Sequence, residues 1–158
     1  MFLPYLCGVM NPYWNSAARG AFVGLSSSHH RGHMYRAVLE GIAFEQAVAL
    51  ESVERAAGVR VRELVAIGGG AASSLWRSIF ASVTGRPVRV VRSTQASALG
   101  AAIAAAVGAG WYRTFDGAAR RMTAIRGLTP PDQKSREVYR SLMSRYRGLY
   151  SALHTHSD

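Results

Sequence analysis

The 158-residue sequence lacks several features that would point to particular protein classes. A single cysteine, Cys7, excludes an internal disulfide and favours a reducing, cytoplasmic setting. The uncharged stretch from Ala96 to Gly110 is mostly alanine and glycine, and it is shorter than the ~20 apolar residues of a membrane-spanning helix. The first residues have no basic flank and no long apolar core, so they do not form a secretory signal. We therefore expect a cytoplasmic protein with no membrane partner.

Negative charge is also scarce. Nine acidic residues accompany nineteen basic ones, which gives a net charge of +10, and Lys134 is the only lysine. The arginines are spread along the chain at spacings typical of solvated faces, without an aromatic-interleaved basic ribbon or a helix-turn-helix pattern. We therefore predict no nucleic-acid partner, with general attraction to phosphate as the alternative.

Few side chains suggest metal or covalent chemistry. His29, His30 and His33 cluster in the sequence, but no cysteine or carboxylate nearby completes a tetrahedral set. Cys7 has no partnered base in view. We predict no metal site and no catalytic residue in this chain.

The residues that are present indicate one globular domain of the α/β class. Hydrophobic residues make up 49% and charged residues 18% of the chain. Residues 1–19 are predicted to form an extended loop. Three strands are few for an independent sheet, which indicates an incomplete domain. Apolar spacing predicts strands at about 20–25, 61–67 and 87–91, and helices at about 29–57, 72–84, 95–108, 115–124 and 132–154.

Residue types at the helix ends predict where the helices start and stop. The serines at 26–28 are candidate caps for the first helix. Gly58 and Gly85 tolerate the left-handed conformation and predict the ends of the first and second helices. On the first helix, Glu40 is either a solvated residue or part of a structural pair, and the sequence leaves both open.

The triple glycine Gly68–Gly70 follows a strand and precedes a helix. Without Cβ atoms, such a turn lets a ligand approach the backbone, and the helix start offers free N–H groups. By itself, the pattern fits a tight turn without ligand equally well. A Rossmann-type dinucleotide site is disfavoured, because the Gly-x-Gly-x-x-Gly spacing and the acidic residue that should follow are absent.

Three stretches, in this order, resemble the FGGY carbohydrate kinases. The first is Gly20-x-Phe22-x-Gly24-Leu25, followed after seven residues by His33-Met34-x-x-Ala37-Val38-Leu39-Glu40. The second is Ala66-Ile67-Gly68-Gly69-Gly70-Ala71-x-Ser73, with Trp76 following, and the third runs from Ala96 to Ala102. The resemblance covers almost the whole chain and is to the carboxy-terminal domain of a xylulose kinase-like member of this family.

The resemblance implies a lobe of the actin-like ATPase (ribonuclease H-like) fold that supplies the adenosine side of an ATP site. It also implies that the small-residue helix at 96–102 lies at the hinge between lobes. We expect Gly70→Val to abolish nucleotide binding and leave the fold largely intact. The predicted nucleotide-binding residues are Gly68, Gly69, Gly70, Ala71, Ser73 and Ser74.

Much of such a kinase is missing from the sequence. Phosphoryl transfer needs phosphate-cradling loops, Mg²⁺ ligands and a base. The resemblance places these groups, and most of the sugar site, in segments that this sequence lacks. We therefore expect residues 1–158 to be one carboxy-terminal domain that is inactive alone. The intact enzyme would phosphorylate a sugar or polyol with ATP and Mg²⁺.

Two further expectations follow from an incomplete lobe. The alternative function is a non-catalytic partner that pairs with a separate amino-terminal kinase lobe. The isolated chain should also be poorly stable and prone to associate through an open sheet edge. Residues 8–12 read Gly-Val-Met-Asn-Pro where many members of the family have Gly-Glu-Arg-Thr-Pro, so the sequence does not identify the sugar.

Overall fold

The computed structural model describes residues 1–93 and 95–154. Within these ranges, none of the helices combines the length and apolar character needed to cross a membrane. The elements, in chain order, are strands β1 (Phe2–Leu3) and β2 (Ala21–Phe22), helix α1 (Arg31–Ala57), strand β3 (Leu64–Ala66), a 3₁₀ helix (Gly69–Ala72), helix α2 (Ser74–Thr84), strand β4 (Val88–Val91), helices α3 (Ala96–Gly108) and α4 (Phe115–Met122), strand β5 (Ile125–Thr129) and helix α5 (Gln133–His154).

The strands form two small sheets. β1 and β2 pair antiparallel, with Phe2 opposite Phe22. The larger sheet has the order β3-β4-β5, in which β3 and β4 are parallel and β5 is antiparallel to β4. β3 and β5 are therefore the edge strands of this sheet among the described residues.

The main core lies between α1, α5 and the amino-terminal segment. Phe44 of α1 is buried against the rings of Tyr139 and Tyr146 of α5, with ring centroids 5.8 and 5.1 Å away. Leu3 and Tyr5 join the same cluster. Burying a side chain of this size contributes about 1.5–3 kcal/mol. A smaller cluster of Leu39, Ala43 and Ile79 joins α1 to α2.

The ends of the first two helices were predicted correctly, but the residue that caps the start of the first helix was not. Gly58 and Gly85 both take left-handed conformations, with φ of +67° and +66°, and end α1 and α2. The serines at 26–28 do not cap α1. His30 caps it instead, and its ring nitrogen accepts from the Gly32 N–H while the ring of His33 reaches back to the His30 N–H.

Two strands lie where the sequence predicted none. β1 is within the predicted loop at 1–19, and β5 is within the segment between the predicted fourth and fifth helices. β5 reads Ile-Arg-Gly-Leu-Thr and is almost wholly exposed, so it lacks the apolar alternation that marks a half-buried strand. The sheet positions it through its ladder with β4.

Candidate functional site

The predicted nucleotide-binding segment forms a tight connection between β3 and α2. Gly68 has φ +82° and ψ −176°, a conformation that only glycine adopts without strain. The 3₁₀ helix at 69–72 follows. The sequence predicted that α2 starts at about residue 72, whereas it starts at Ser74. Ser73 then caps α2, where its hydroxyl accepts from the Trp76 N–H at 3.2 Å. The segment is thereby fixed at both ends.

The backbone of this turn presents two unused donors. The first N–H groups of a helix have no partner within it, and those of Gly69 and Gly70 find none elsewhere in the described chain. The N–H groups of Ala71 and Ser73 are already bonded to Gly68 and Gly70 carbonyls. Gly69 and Gly70 are therefore the predicted residues whose amides remain free for a ligand.

Gly69 and Gly70 differ in the space around them. A Cβ on Gly69 would meet no atom within 4 Å, whereas a Cβ on Gly70 would overlap the indole ring of Trp76. The expectation that Gly70→Val leaves the fold largely intact is therefore wrong, because the branched side chain would displace Trp76. The absence of a side chain at Gly70 makes room for the indole ring of Trp76, whereas the space above Gly69 is open.

Arg77 ties the turn to the sheet. Its Nη1 donates to the carbonyls of Ala71 and Ala72, at 2.5 and 3.0 Å, and its Nε donates to the Thr129 hydroxyl at 3.3 Å. Three bonds to one guanidinium hold its plane in place. This role of Arg77 was not predicted, because Thr129 lies on β5, a strand that was not predicted either.

A small cavity of about 190 Å³ lies between this turn and the ends of β4 and β5. Arg77 and Arg126 bring two positive charges to its wall, and Ser93 and Thr129 add hydroxyl groups. No carboxylate is among the described residues that line it. We call it the cationic cavity.

A larger cavity of about 520 Å³ adjoins the same turn and the edge strand β3, and it shares Ala66, Ala71 and Arg77 with the cationic cavity. Its wall is mostly apolar and includes Val65, Trp76 and Phe80. The indole N–H of Trp76 is buried without a hydrogen-bond partner in the described chain. Val65 and Ile67 are 55% and 60% exposed. An apolar cavity beside an unpaired strand indicates a surface that another segment could cover.

The structure thus brings together the predicted residues of the turn and adds others. Gly68, Ala71 and Arg77 line the cationic cavity. Ser73 serves as a helix cap, and Ser74 is the exposed first residue of α2. Trp76, Arg77 and Arg126 were not among the predicted site residues: Trp76 was quoted only as part of the resembling motif, and Arg126 lies on β5, a strand that was not predicted.

The remaining candidates have structural partners. Glu40 is paired, as one of the two open interpretations held: Oε1 accepts from Arg36 at 2.7 Å and from the Tyr139 hydroxyl at 2.9 Å. His29 is bonded to Ser26. Across residues 1–93 and 95–154, no group of three or more His, Cys, Asp or Glu side chains could hold a metal ion.

α3 is the predicted small-residue helix, and it begins at Ala96 with no side-chain cap. Of its own residues, Ala106 alone is buried. It packs on α4, and most of its alanines face outward. Its apolar surface is therefore available for contact with another segment.

Comparison with known proteins gives the chain its family. Residues 1–109 match the C-terminal domain of the FGGY family of carbohydrate kinases. The chain is 32% identical to the xylulose kinase of Bacillus subtilis (strain 168) over 151 residues, which are 96% of the chain and 30% of that protein. It therefore spans less than a third of the length of this relative.

Solved structures of kinases of this family have folds similar to that of the chain. The chain is similar to a ligand-bound xylulose kinase from Lactobacillus acidophilus, with a TM-score of 0.85 and 28% identity over 99% of the chain and 31% of that structure. Plasmodium falciparum glycerol kinase with ADP gives a TM-score of 0.77 over 94% of the chain and 30% of that structure, and at 23% identity this likeness shows the fold alone. The mixed α/β domain corresponds to one lobe of the actin-like ATPase fold, as predicted. The chain belongs to the FGGY family of carbohydrate kinases, and its match is to that family's C-terminal domain.

Proposed function

We propose that this chain supplies the adenosine-binding side of an enzyme that transfers the γ-phosphate of ATP to a hydroxyl of a sugar or polyol. The observation that carries the proposal is the turn after β3, where the amides of Gly69 and Gly70 are free and no atom lies near the Cβ position of Gly69. The turn also falls within the segment that matches the C-terminal domain of the kinase family.

The geometry of the turn suits a nucleotide. Two adjacent free N–H groups can donate to ribose or phosphate oxygens. Arg77 holds the carbonyls behind the turn, so the donors keep their direction without reorganisation. The fold-level likeness to a glycerol kinase solved with ADP is consistent with a nucleotide at this fold. A cytoplasmic location, where ATP is available, stays a prediction.

In this proposal, the chemical step depends on groups outside the chain. Phosphoryl transfer needs a base for the acceptor hydroxyl and carboxylates for Mg²⁺. The described residues offer no metal-binding cluster, and Glu40 and Glu45 are both engaged in hydrogen bonds to tyrosines. The chain would bind and orient the nucleotide, while an amino-terminal kinase lobe would supply Mg²⁺ ligands, base and sugar site.

A non-catalytic partner lobe is the second candidate. It is favoured by the apolar cavity beside β3 and by the exposure of Val65 and Ile67. In this case the chain would associate with an amino-terminal kinase lobe without contributing to ATP turnover.

A reconstitution assay separates the two candidates. The chain is mixed with the amino-terminal segment of the B. subtilis xylulose kinase that precedes its similar region, and ADP formation is measured over a panel of ketoses and polyols. Sugar-dependent ADP formation by the mixture, and none by either part alone, is expected for the catalytic role. Complex formation without any turnover favours the partner lobe, and turnover by the chain alone contradicts both.

A matched pair of variants then tests the site. Gly69→Val places a branched side chain above the free amides without a clash, while Gly148→Val makes the same change on α5, where a Cβ also meets no atom within 4 Å. We expect Gly69→Val to weaken ATP binding by at least about tenfold, since it blocks two hydrogen bonds, and Gly148→Val to leave it unchanged. Equal ATP affinity in both variants would show that the nucleotide binds elsewhere.

A further inference from the structure

The cationic cavity has a composition that the adenosine assignment does not use. It carries the guanidinium groups of Arg77 and Arg126 and the hydroxyls of Ser93 and Thr129. Neither arginine forms an ion pair within the described chain.

Arg77 is held ready to bind an anion. Its Nε and Nη1 are occupied by Thr129 and by the carbonyls of Ala71 and Ala72. A guanidinium has five N–H donors, and those of Nη2 have no partner among the described residues. Because the other bonds already fix the plane, binding an oxyanion at Nη2 costs little side-chain entropy.

Arg126 lies across the cavity on β5. Its side chain forms no hydrogen bond within the described residues, and it is exposed at the mouth of the cavity. Two arginines that line one cavity raise its positive potential, and a bound anion would offset that potential. The absence of carboxylate in the described lining leaves that role to a ligand.

Size and position indicate which ligand fits. Ligand cavities for drug-sized molecules are about 300–1,000 Å³, so 190 Å³ is too small for a whole nucleotide but ample for one tetrahedral oxyanion. The cavity also lies beyond the carboxyl ends of the parallel strands β3 and β4, the edge at which α/β sheets bind ligands.

We propose that the cationic cavity is an oxyanion site, in which Arg77 and Arg126 bind a phosphate group and the hydroxyls of Ser93 and Thr129 line it. The phosphate group belongs either to a nucleotide on the adjacent turn or to free phosphate or a phosphate ester. Arg126 supplies the exposed positive charge, and Arg77 supplies the positive charge that hydrogen bonds hold in place. This inference does not depend on the adenosine assignment, because inorganic phosphate is a sufficient probe.

Calorimetric titration of the 158-residue chain with inorganic phosphate, in a buffer without sulfate, tests the site. We expect saturable binding, which Arg126→Gln weakens by about tenfold through loss of a charged hydrogen bond. Arg126→Lys, which keeps the charge, should recover part of the affinity. Arg140→Gln is the control, since Arg140 is an exposed arginine of α5 away from the cavity, and its removal should have no effect.

Titrations with ATP and adenosine identify the source of the phosphate. If Arg126→Gln weakens ATP but not adenosine, the group is a phosphate of the nucleotide. If ATP binding is unchanged while phosphate binding is lost, the cavity takes free phosphate or a phosphate ester. If phosphate binds but neither ATP nor adenosine does, the adenosine proposal fails and the oxyanion site stands. No phosphate binding at millimolar concentration, or equal weakening by Arg126→Gln and Arg140→Gln, overturns the inference.

Discussion

At the scale of single residues, Glu45 is the most unusual charged group of the described chain. Its Oε2 accepts from the hydroxyls of Tyr5, at 3.0 Å, and of Tyr146, at 2.8 Å. The other oxygen, Oε1, is buried without a hydrogen-bond partner among the described residues. Burial raises the pKa of Glu45 above its ordinary value of 4.5, and the two tyrosine hydrogen bonds oppose that rise only in part. The carboxyl group links the amino-terminal segment, α1 and α5.

The raised pKa makes stability depend on pH in a definite direction. A carboxyl group whose pKa is higher in the folded state binds its proton more tightly there, so it stabilises the fold at low pH. This contribution is lost as pH rises from about 4.5 through the folded pKa. We predict that Glu45→Gln, which mimics the neutral carboxyl, removes this loss, so the variant gains stability relative to wild type as pH rises.

Urea unfolding of both proteins at a series of pH values from about 4 to about 8 measures the effect. The difference in unfolding free energy between variant and wild type should grow with pH and then level off. Parallel curves across the series would contradict a raised pKa. Glu51→Gln serves as a control, because it makes the same chemical change on α1 at a glutamate whose carboxylate forms an exposed ion pair with Arg147.

At the scale of elements, the position of β1 depends on one glycine of α1. Gly41 is buried in the middle of the helix, and a Cβ there would overlap the carbonyl group of Phe2. Glycine within a helix costs about 0.5–1 kcal/mol relative to alanine. The fold accepts this cost because only glycine lets β1 approach the helix so closely.

Two glycine-to-alanine substitutions in helices should therefore change the free energy of unfolding in opposite directions. Gly41→Ala should destabilise the chain by about 1–3 kcal/mol through steric overlap with β1, despite the higher helix propensity of alanine. Gly148→Ala on α5 has open space at its Cβ and should stabilise by about 0.5–1 kcal/mol. Thermal or urea unfolding of both variants measures the two changes in stability. Stabilisation by Gly41→Ala would show that β1 does not pack on the face of α1 that carries Gly41.

The same elements show how much the sequence could predict. Helix ends at Gly58 and Gly85 were predictable because the left-handed conformation is a local property of glycine. The cap by His30 was not, since histidine is an uncommon cap and three serines stand nearby. β5 was missed because its pairing with β4 is a long-range property. The turn at Gly68–Gly70 was found from its pattern and resemblance, but the contact of Arg77 with Thr129 and the position of Arg126 depend on β5 and therefore on long-range folding.

At the scale of the whole molecule, the larger sheet ends in two different edges. Leu64 donates its N–H to the Pro87 carbonyl, so by strand alternation the backbone groups of Val65 point away from β4, towards the free edge. This edge is apolar, with Val65 and Ile67 largely exposed. The other edge, β5, carries Arg126 and an irregular register opposite Val90 and Val91, features that discourage pairing.

We therefore predict that the 158-residue chain associates in solution through the free edge of β3. Val65→Lys should reduce the association, because a charge on an edge strand opposes pairing with another strand. Val138→Lys is the matched control: Val138 is 58% exposed on α5, close to the 55% of Val65, so both changes add one lysine at a similar exposure. Multi-angle light scattering over a concentration series measures the mass of each protein. A wild-type chain that stays monomeric throughout, or equal effects of the two lysines, would contradict the prediction. If association persists in Val65→Lys, the exposed small-residue face of α3 is the next surface to test, because most of its alanines are uncovered in the described fold.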